Sequence, residues 1–255
     1  SGLFFLLAWW SGGLRRGVRT LCRSPRLLLQ MAVHGILGIM IVQFSYFKGI
    51  AAGDAAATTV ICSTSPALMI LYLAARRRRL PHMAELLTVA AAVVGVFLLV
   101  TGGDPTRLSV PMDCVVWSLI SGATFVFAMI YPVQLLRRFD RFFLLAVCMF
   151  FGGTALLPVT QVIADVGSFF TAQTWFDLFV IIGLGTVVAF FAFALGLRWL
   201  SPAETAITAT IEPVASVFFA WLIFDTHFAP VQAGGIVLVI LAILMPNLLR
   251  KWGYT

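Results

Sequence analysis

Glu212 is the residue whose type and position most clearly suggest chemistry. It lies near the middle of the apolar stretch 203–224, together with Thr205 and Thr208 at helical spacing. An ionised carboxylate inside a membrane is costly without a partner, and such acids usually serve function. This face therefore predicts a site that binds a proton or a substrate amine. The structural alternative is a carboxylate that caps backbone groups loosened at Pro213.

A second polar face occurs in the stretch 55–75. Thr59 and Ser63 lie one helical turn apart there, followed by Pro66. Their side chains are small and uncharged, so close helix packing explains them as well as substrate contact does. We include Thr59 and Ser63 among the predicted substrate contacts and leave the packing alternative open.

The stretch 27–47 offers three candidates of different chemistry, His34, Gln43 and Tyr46. A histidine can change its charge near neutral pH. Small residues surround His34 in the sequence, so helix packing with one interhelical hydrogen bond explains it equally well. Gln43 and Tyr46 lie nearer the other end of the stretch, and we predict that they contact a substrate cavity.

The stretch 112–136 carries a stripe of aromatic and hydroxyl residues. Trp117, Ser121, Thr124 and Tyr131 recur at intervals that place them on one helical face. We predict that Trp117 and Thr124 form part of a cavity wall that meets an organic substrate. An aromatic stripe of this kind is also typical of ordinary helix packing.

Composition identifies the environment in which these residues work. Of the 255 residues, 61% are hydrophobic and 11% are charged. Soluble domains carry about 25% charged residues and about 45–50% apolar ones. The chain is therefore predicted to be an all-α membrane protein. Secreted disulfide scaffolds, nucleic-acid modules and ordinary cytosolic enzymes are excluded.

The apolar runs separate at charged or Gly- and Pro-rich breaks and predict eight full transmembrane helices. These are 27–47, 55–75, 84–101, 112–136, 142–164, 178–197, 203–224 and 231–249. The apolar run 2–14 is too short to cross the roughly 30 Å hydrocarbon core as a helix. We expect it to be the end of a truncated helix, with one further helix preceding residue 1 and a connecting loop at 15–26.

The net charge of +7 records the side on which each loop lies. If the loop 15–26 is cytoplasmic and the helices alternate, 15 of the 17 basic residues fall inside. Cytoplasmic loops of membrane proteins collect Lys and Arg in this way. The distribution predicts a multi-pass protein of the inner membrane with a cytoplasmic C-terminus. It also removes the need for a nucleic-acid partner to explain the charge.

An internal repeat becomes visible when the chain is shifted by 147 residues, which lays 44–66 over 191–213 without a gap. The predicted orientations of the two copies are opposite. The sequence thus predicts two inverted five-helix repeats, 1–103, which lacks its first helix, and 112–250. Ten helices are expected in all. Inverted repeats are typical of secondary transporters, with the substrate site between the halves.

The segment SPAETAITATIEPVASVFFAWLIFD at 201–225 and its counterpart AAATTVICSTSPALMI at 55–70 resemble the drug/metabolite transporter superfamily, and within it the EamA-type transporters. The Glu212-Pro213 pair is the most characteristic element. The resemblance implies alternating access around a cavity between the repeats. It further implies a small organic substrate, amino-acid-like, amphipathic or drug-like, and we expect export. Coupling to protons and facilitated diffusion are both open.

Two rival classes remain. One is a membrane-embedded enzyme acting on a lipid, and the other is an assembly subunit that transports nothing. The sequence contains no P-loop, HExxH or GxSxG motif. We therefore expect no enzyme activity, no catalytic residue, no cofactor and no metal. The expected partners are a small-molecule substrate, the lipid bilayer and protons.

Overall fold

The computed structural model describes residues 2–10, 12–22, 24–104, 107–159, 171–188 and 211–251. These residues form helices joined by turns, and no β-strand occurs among them, so the predicted all-α bundle is confirmed. The helices are α1 Gly2–Trp10, α2 Gly13–Cys22, α3 Pro25–Ala52, α4 Ala55–Cys62, α5 Ser65–Arg77, α6 Met83–Thr101, α7 Met112–Ile130, α8 Val133–Leu136, α9 Arg141–Leu156, α10 Ala172–Val188, α11 Ile211–Phe224 and α12 Pro230–Lys251.

Three helical spans are long and apolar enough to cross a membrane within the described part of the chain. They are Pro25–Ala52, Ala55–Arg77 and Met112–Leu136. The other apolar helices count 10–17 residues when only the described parts that enter this comparison are included, for example Glu85–Thr101 and Pro230–Leu244. The predicted helix 142–164 is described as far as residue 159, and the predicted helices 178–197 and 203–224 include the range 189–210, which lies outside the described residues.

Helix α4 ends and α5 begins just before Pro66, where the sequence predicted one continuous helix. Proline has no N–H to donate, so carbonyl groups in the preceding turn lose their helical partners. Hydroxyl groups replace them. Thr64 Oγ1 donates to the carbonyl oxygen of Ile61 at 2.7 Å, and Ser65 Oγ donates to that of Cys62. The break is therefore satisfied internally, as an apolar environment requires.

The segment predicted as the loop 15–26 contains helix α2 instead, and α1 ends earlier than expected, at Trp10. The arginines hide a helical periodicity in this stretch. Gly17 faces the Phe143 ring of α9, and an added Cβ would lie 2.5 Å from it, while Arg15 and Arg19 are exposed. One apolar face packed on the bundle and one charged face outside make an amphipathic surface helix.

Two of the helices contain π-helical segments, His34–Met40 in α3 and Val180–Val188 in α10. A shift of 147 residues lays the first on 181–187, inside the second. The two copies of the predicted repeat thus share an irregular feature, which lies outside the aligned stretches 44–66 and 191–213. Single π turns are rare in proteins and occur most often where function demands them.

Helices α6 and α12 cross at a pair of glycines. A Cβ on Gly95 would lie 2.7 Å from the carbonyl oxygen of Gly235, and one on Gly235 would lie 2.5 Å from that of Gly95. Gln232 Nε2 also donates to the carbonyl oxygen of Leu99 at 3.1 Å. The end of α6 therefore meets the start of α12. Small residues of this kind let two backbones approach closely inside a membrane.

The helix ends that carry arginine converge at one end of the bundle, here called the arginine-rich end. Residues from the start of α3, the end of α5 and α8 line a common cavity there. Gly13 of α2 lies against Asp140, which caps α9. Arg79 Nη2 and Glu85 Oε1 form a salt bridge of 2.7 Å at the start of α6. This convergence agrees with the loop charges used to orient the helices.

The contact between Gly95 and Gly235 generates a test with a neighbouring control. Gly235→Ala should lower the apparent melting temperature of the purified protein, because the new methyl group meets backbone and such overpacking costs about 1–3 kcal/mol. Gly234→Ala should leave it unchanged or raise it, since an added Cβ there meets nothing within 4 Å and alanine favours helix by up to about 1 kcal/mol. Equal melting temperatures for the two variants would contradict the crossing.

Candidate functional site

A chain of hydroxyl groups joins α3 to α4. The Tyr46 hydroxyl and Thr59 Oγ1 are 2.8 Å apart, and Thr59 Oγ1 donates to the carbonyl oxygen of Ala55 at 2.7 Å. Because threonine has one hydroxyl proton, the Tyr46 hydroxyl must be the donor to Thr59. Ser63 Oγ donates to the carbonyl oxygen of Thr59 at 2.7 Å. Three of the predicted site residues therefore form one hydrogen-bonded group.

Glu212 lies on α11 next to this group. Its side chain is exposed, while the adjacent Pro213 is buried. Helix α11 packs against α4, the helix that carries Thr59 and Cys62, and the carboxylate of Glu212 makes only a minor electrostatic contribution at Tyr46 and Cys62. The acid of the second half thus lies on a helix that packs against a polar helix of the first half. Its predicted neighbours on the same helical face, Thr205 and Thr208, lie outside the described residues.

Cys62 connects the same region to α7. Its Sγ donates to the carbonyl oxygen of Ser118 at 3.3 Å, and Thr58 Oγ1 lies 3.4 Å from Cys114 Sγ. Gly49 of α3 also contacts Ser118, where an added Cβ would lie 2.9 Å from its hydroxyl oxygen. Helices α3, α4 and α7 are therefore held together closely around the Tyr46 and Thr59 pair.

The predicted stripe on α7 packs against α3. Trp117 meets the Phe44 ring edge-on at a centroid distance of 5.9 Å, and Ser121 Oγ donates to the carbonyl oxygen of Val42 at 3.0 Å. Thr124 Oγ1 bonds within its own helix, to the carbonyl oxygen of Ile120 at 2.7 Å. These contacts favour the packing interpretation for Trp117. Gln43, in contrast, is exposed on α3.

His34 occupies a different place from the polar group around Tyr46. It is 5% exposed and stacks on Tyr131 at a centroid distance of 6.1 Å. Its Nδ1 has no hydrogen-bond partner among the described residues, and a Cβ on Gly38 would lie 2.6 Å from this nitrogen. The histidine is the first residue of the π-helical segment of α3. A buried imidazole nitrogen without a partner is unusual in a folded protein.

A cavity of about 370 Å³ opens at the arginine-rich end between α3, α5, α7 and α8. Its polar lining comprises Gln30, Tyr72, Arg76, Tyr131 and Gln134. Sequence reasoning assigned the arginine to the cytoplasmic loops and passed over the two glutamines. The available signal was that all three lie at helix ends predicted to be on the same side of the membrane.

The sequence is similar to a family model and to two relatives from other organisms. A family model described as the EamA-like transporter family matches residues 1–101 and 112–248. The chain is 26% identical over 222 residues to an uncharacterized inner membrane transporter, YicL, of Salmonella typhimurium, covering 86% of this chain and 73% of that protein. It is 21% identical over 231 residues to an uncharacterized transporter of Archaeoglobus fulgidus, covering 89% and 78%.

A solved crystal structure shares the fold. It superposes with a TM-score of 0.56 at 17% sequence identity and covers 99% of this chain and 89% of its own. At this level of identity the likeness concerns the arrangement of the helices and carries no information about a ligand.

The hydrogen bond between Tyr46 and Thr59 predicts a non-additive pair of substitutions. Tyr46→Phe and Thr59→Val should each lower the apparent melting temperature, because each removes the same bond, whose net contribution is about 0.5–1.5 kcal/mol. The decrease in melting temperature of the double variant should be smaller than the sum of the two single decreases, because both single variants lose the same hydrogen bond. Thermal denaturation of the four purified proteins measures the coupling, and strict additivity would show that the bond is absent in the membrane protein.

Proposed function

The chain belongs to the EamA-like transporter family, and from this membership we propose that it is a secondary transporter that moves a small organic metabolite across the cytoplasmic membrane by alternating access. Membership in the drug/metabolite transporter superfamily follows from the same match. The proposed substrates are amino-acid-like, amphipathic or drug-like solutes, and the proposed direction is export.

The observation that carries the proposal is the position of Glu212 relative to the first half of the chain. Its carboxylate lies on α11, which packs against α4, the helix whose Thr59 is hydrogen-bonded to Tyr46 of α3. An acid that faces polar groups between the halves can accept a proton or bind a cationic group. Either event changes the charge at the interface along which the halves must move.

Irregular helices at matching places support alternating access. The π-helical segments of α3 and α10 correspond under the internal repeat, and Pro66 and Pro213 occupy equivalent positions. Departures from regular helical bonding leave a helix with local points where it bends. Paired points of this kind suit two repeats that exchange conformations while the site between them stays in place.

The orientation is proposed from the distribution of charge. The arginine-rich end would face the cytoplasm and would include the end of α12, so that the C-terminus is cytoplasmic. The cavity between α3, α5, α7 and α8 then opens to the cytoplasm. An opening on that side admits a solute from inside the cell, as the proposed export requires.

Substitution of the acid tests the proposed coupling. The full-length protein is reconstituted in liposomes, and uptake of pooled radiolabelled amino acids, nucleosides and aromatic acids is measured with and without a pH gradient. Glu212→Gln should abolish accumulation driven by the gradient, because the amide cannot exchange a proton. Passive exchange of the same solutes should persist.

The control is another carboxylate on the same element of sequence. Asp225 follows α11, is exposed, and has a φ of 51°, a conformation that asparagine tolerates. Asp225→Asn should retain both accumulation and its pH dependence. Unchanged accumulation and pH dependence in Glu212→Gln would reject the role of Glu212, and absence of any flux with the unsubstituted protein would reject transport of these solutes.

A further inference from the structure

We propose that the cavity at the arginine-rich end binds the carboxylate of an organic anion through Arg76, with the apolar body of the ligand against α7. This inference rests on the proposed function, because it names the class of solute that would enter from that end. The described lining of the cavity contains one arginine, Arg76, whose positive charge is the basis of this inference.

The first observation is that Arg76 has no acidic partner. Its Nη1 donates to the Tyr72 hydroxyl at 3.4 Å, one turn earlier on α5. Arg79, one turn later, is instead paired with Glu85 at 2.7 Å. The guanidinium of Arg76 therefore retains donors that point to no protein acid. A guanidinium presents planar paired donors that match a carboxylate.

The second observation is that neutral amide and phenol groups line the same cavity as this charge. Gln30 of α3 and Gln134 of α8 line the same cavity, and Tyr131 completes the polar part of its wall. Neutral groups of this kind donate hydrogen bonds without adding charge. One cation among neutral donors favours a ligand with a single negative charge over one with several.

The third observation concerns the rest of the wall. Val126, Phe127 and Ile130 of α7 contribute an apolar surface, and Phe127 lies against Tyr131 with a centroid distance of 4.8 Å. The volume of about 370 Å³ is near the lower end of the range of about 300–1,000 Å³ found for ligand sites. A lining that combines one guanidinium with an apolar and aromatic surface fits a compact aromatic or branched carboxylic acid.

An anionic lipid headgroup offers the same charge, and the arginine run 76–79 at the end of α5 attracts such headgroups to this end of the bundle. The lining of the cavity, in contrast to this end as a whole, favours a solute. Lipid recognition at the cytoplasmic surface commonly uses clusters of four to eight basic residues, roughly. The described lining of this cavity contains one, Arg76. The neighbouring Arg77 is exposed like Arg76 but does not line the cavity. It carries the same charge at the same helix end and is therefore a matched control.

Binding in nanodiscs of neutral phosphatidylcholine tests the assignment without requiring transport. The probes are 3-phenylpropionate, its neutral amide and 3-phenylpropylamine, detected by saturation-transfer NMR. The propionate should bind and the amide and amine should not. Arg76→Gln should weaken propionate binding about tenfold or more, the range expected for loss of a charge-assisted bond. Arg77→Gln should leave it within about twofold, because surface potential alone is screened by salt.

A variant with reversed charge distinguishes loss of the site from loss of folding. Arg76→Glu should reject 3-phenylpropionate and bind 3-phenylpropylamine, a gain that a misfolded protein does not produce. Equal binding of the acid and the amide, or equal losses in Arg76→Gln and Arg77→Gln, would overturn the proposal. Loss of propionate binding on adding phosphatidylglycerol to the nanodiscs would also overturn it and assign the cavity to lipid.

The binding and transport experiments distinguish failure of the proposed site from failure of the proposed transport function. Selective propionate binding that depends on Arg76, without flux in liposomes, would retain the site and remove the transport function. Proton-dependent flux of the pooled solutes that is identical in Arg76→Gln and in the unsubstituted protein would retain transport and overturn the site as a substrate contact.

Discussion

The structure depends on one constraint, which is that polar groups inside an apolar solvent must find partners within the protein. Most hydroxyl groups in the helices meet it locally by donating to a carbonyl one turn earlier. Ser118, Thr124 and Thr154 bond in this way to their own helices at 2.6, 2.7 and 2.8 Å. Against this background the groups that lack a protein partner become informative. Among the described residues, His34 Nδ1 and Arg79 Nε are the buried side-chain nitrogens without a hydrogen-bond partner.

The same constraint explains what the sequence could predict. A helix that satisfies its own backbone needs only a long apolar run, so α6 and α12 were found from hydrophobicity with ends within about two residues of those observed. Helix α3 was found in the same way, but it continues to Ala52, beyond the predicted end at 47. Irregularity depends on contacts made elsewhere. The break before Pro66 is stabilised by hydroxyl groups, and α2 is stabilised by Gly17 against Phe143. Neither partner is recognisable from the local pattern alone.

The candidate site was predicted in part for a related reason. A carboxylate in an apolar run is conspicuous, and Glu212 together with Tyr46 and Thr59 could be selected on residue type. Trp117 was selected on the same ground, yet its ring packs against Phe44. Periodicity identifies a face but does not say whether a helix or a cavity lies opposite. Arg76 illustrates the reverse case, because its charge had a sufficient explanation in the topology of the loops.

The two proposed charged sites have opposite signs, and this connects them. An organic anion held at Arg76 would move towards an ionised Glu212 and be repelled by it. Two like charges about 10 Å apart, at an effective dielectric constant of about 20, repel by roughly 2 kcal/mol. A proton on Glu212 removes that cost, because the neutral acid no longer opposes the ligand. Under the two proposals, proton binding at α11 and anion binding at α5 would be coupled through the charge of Glu212.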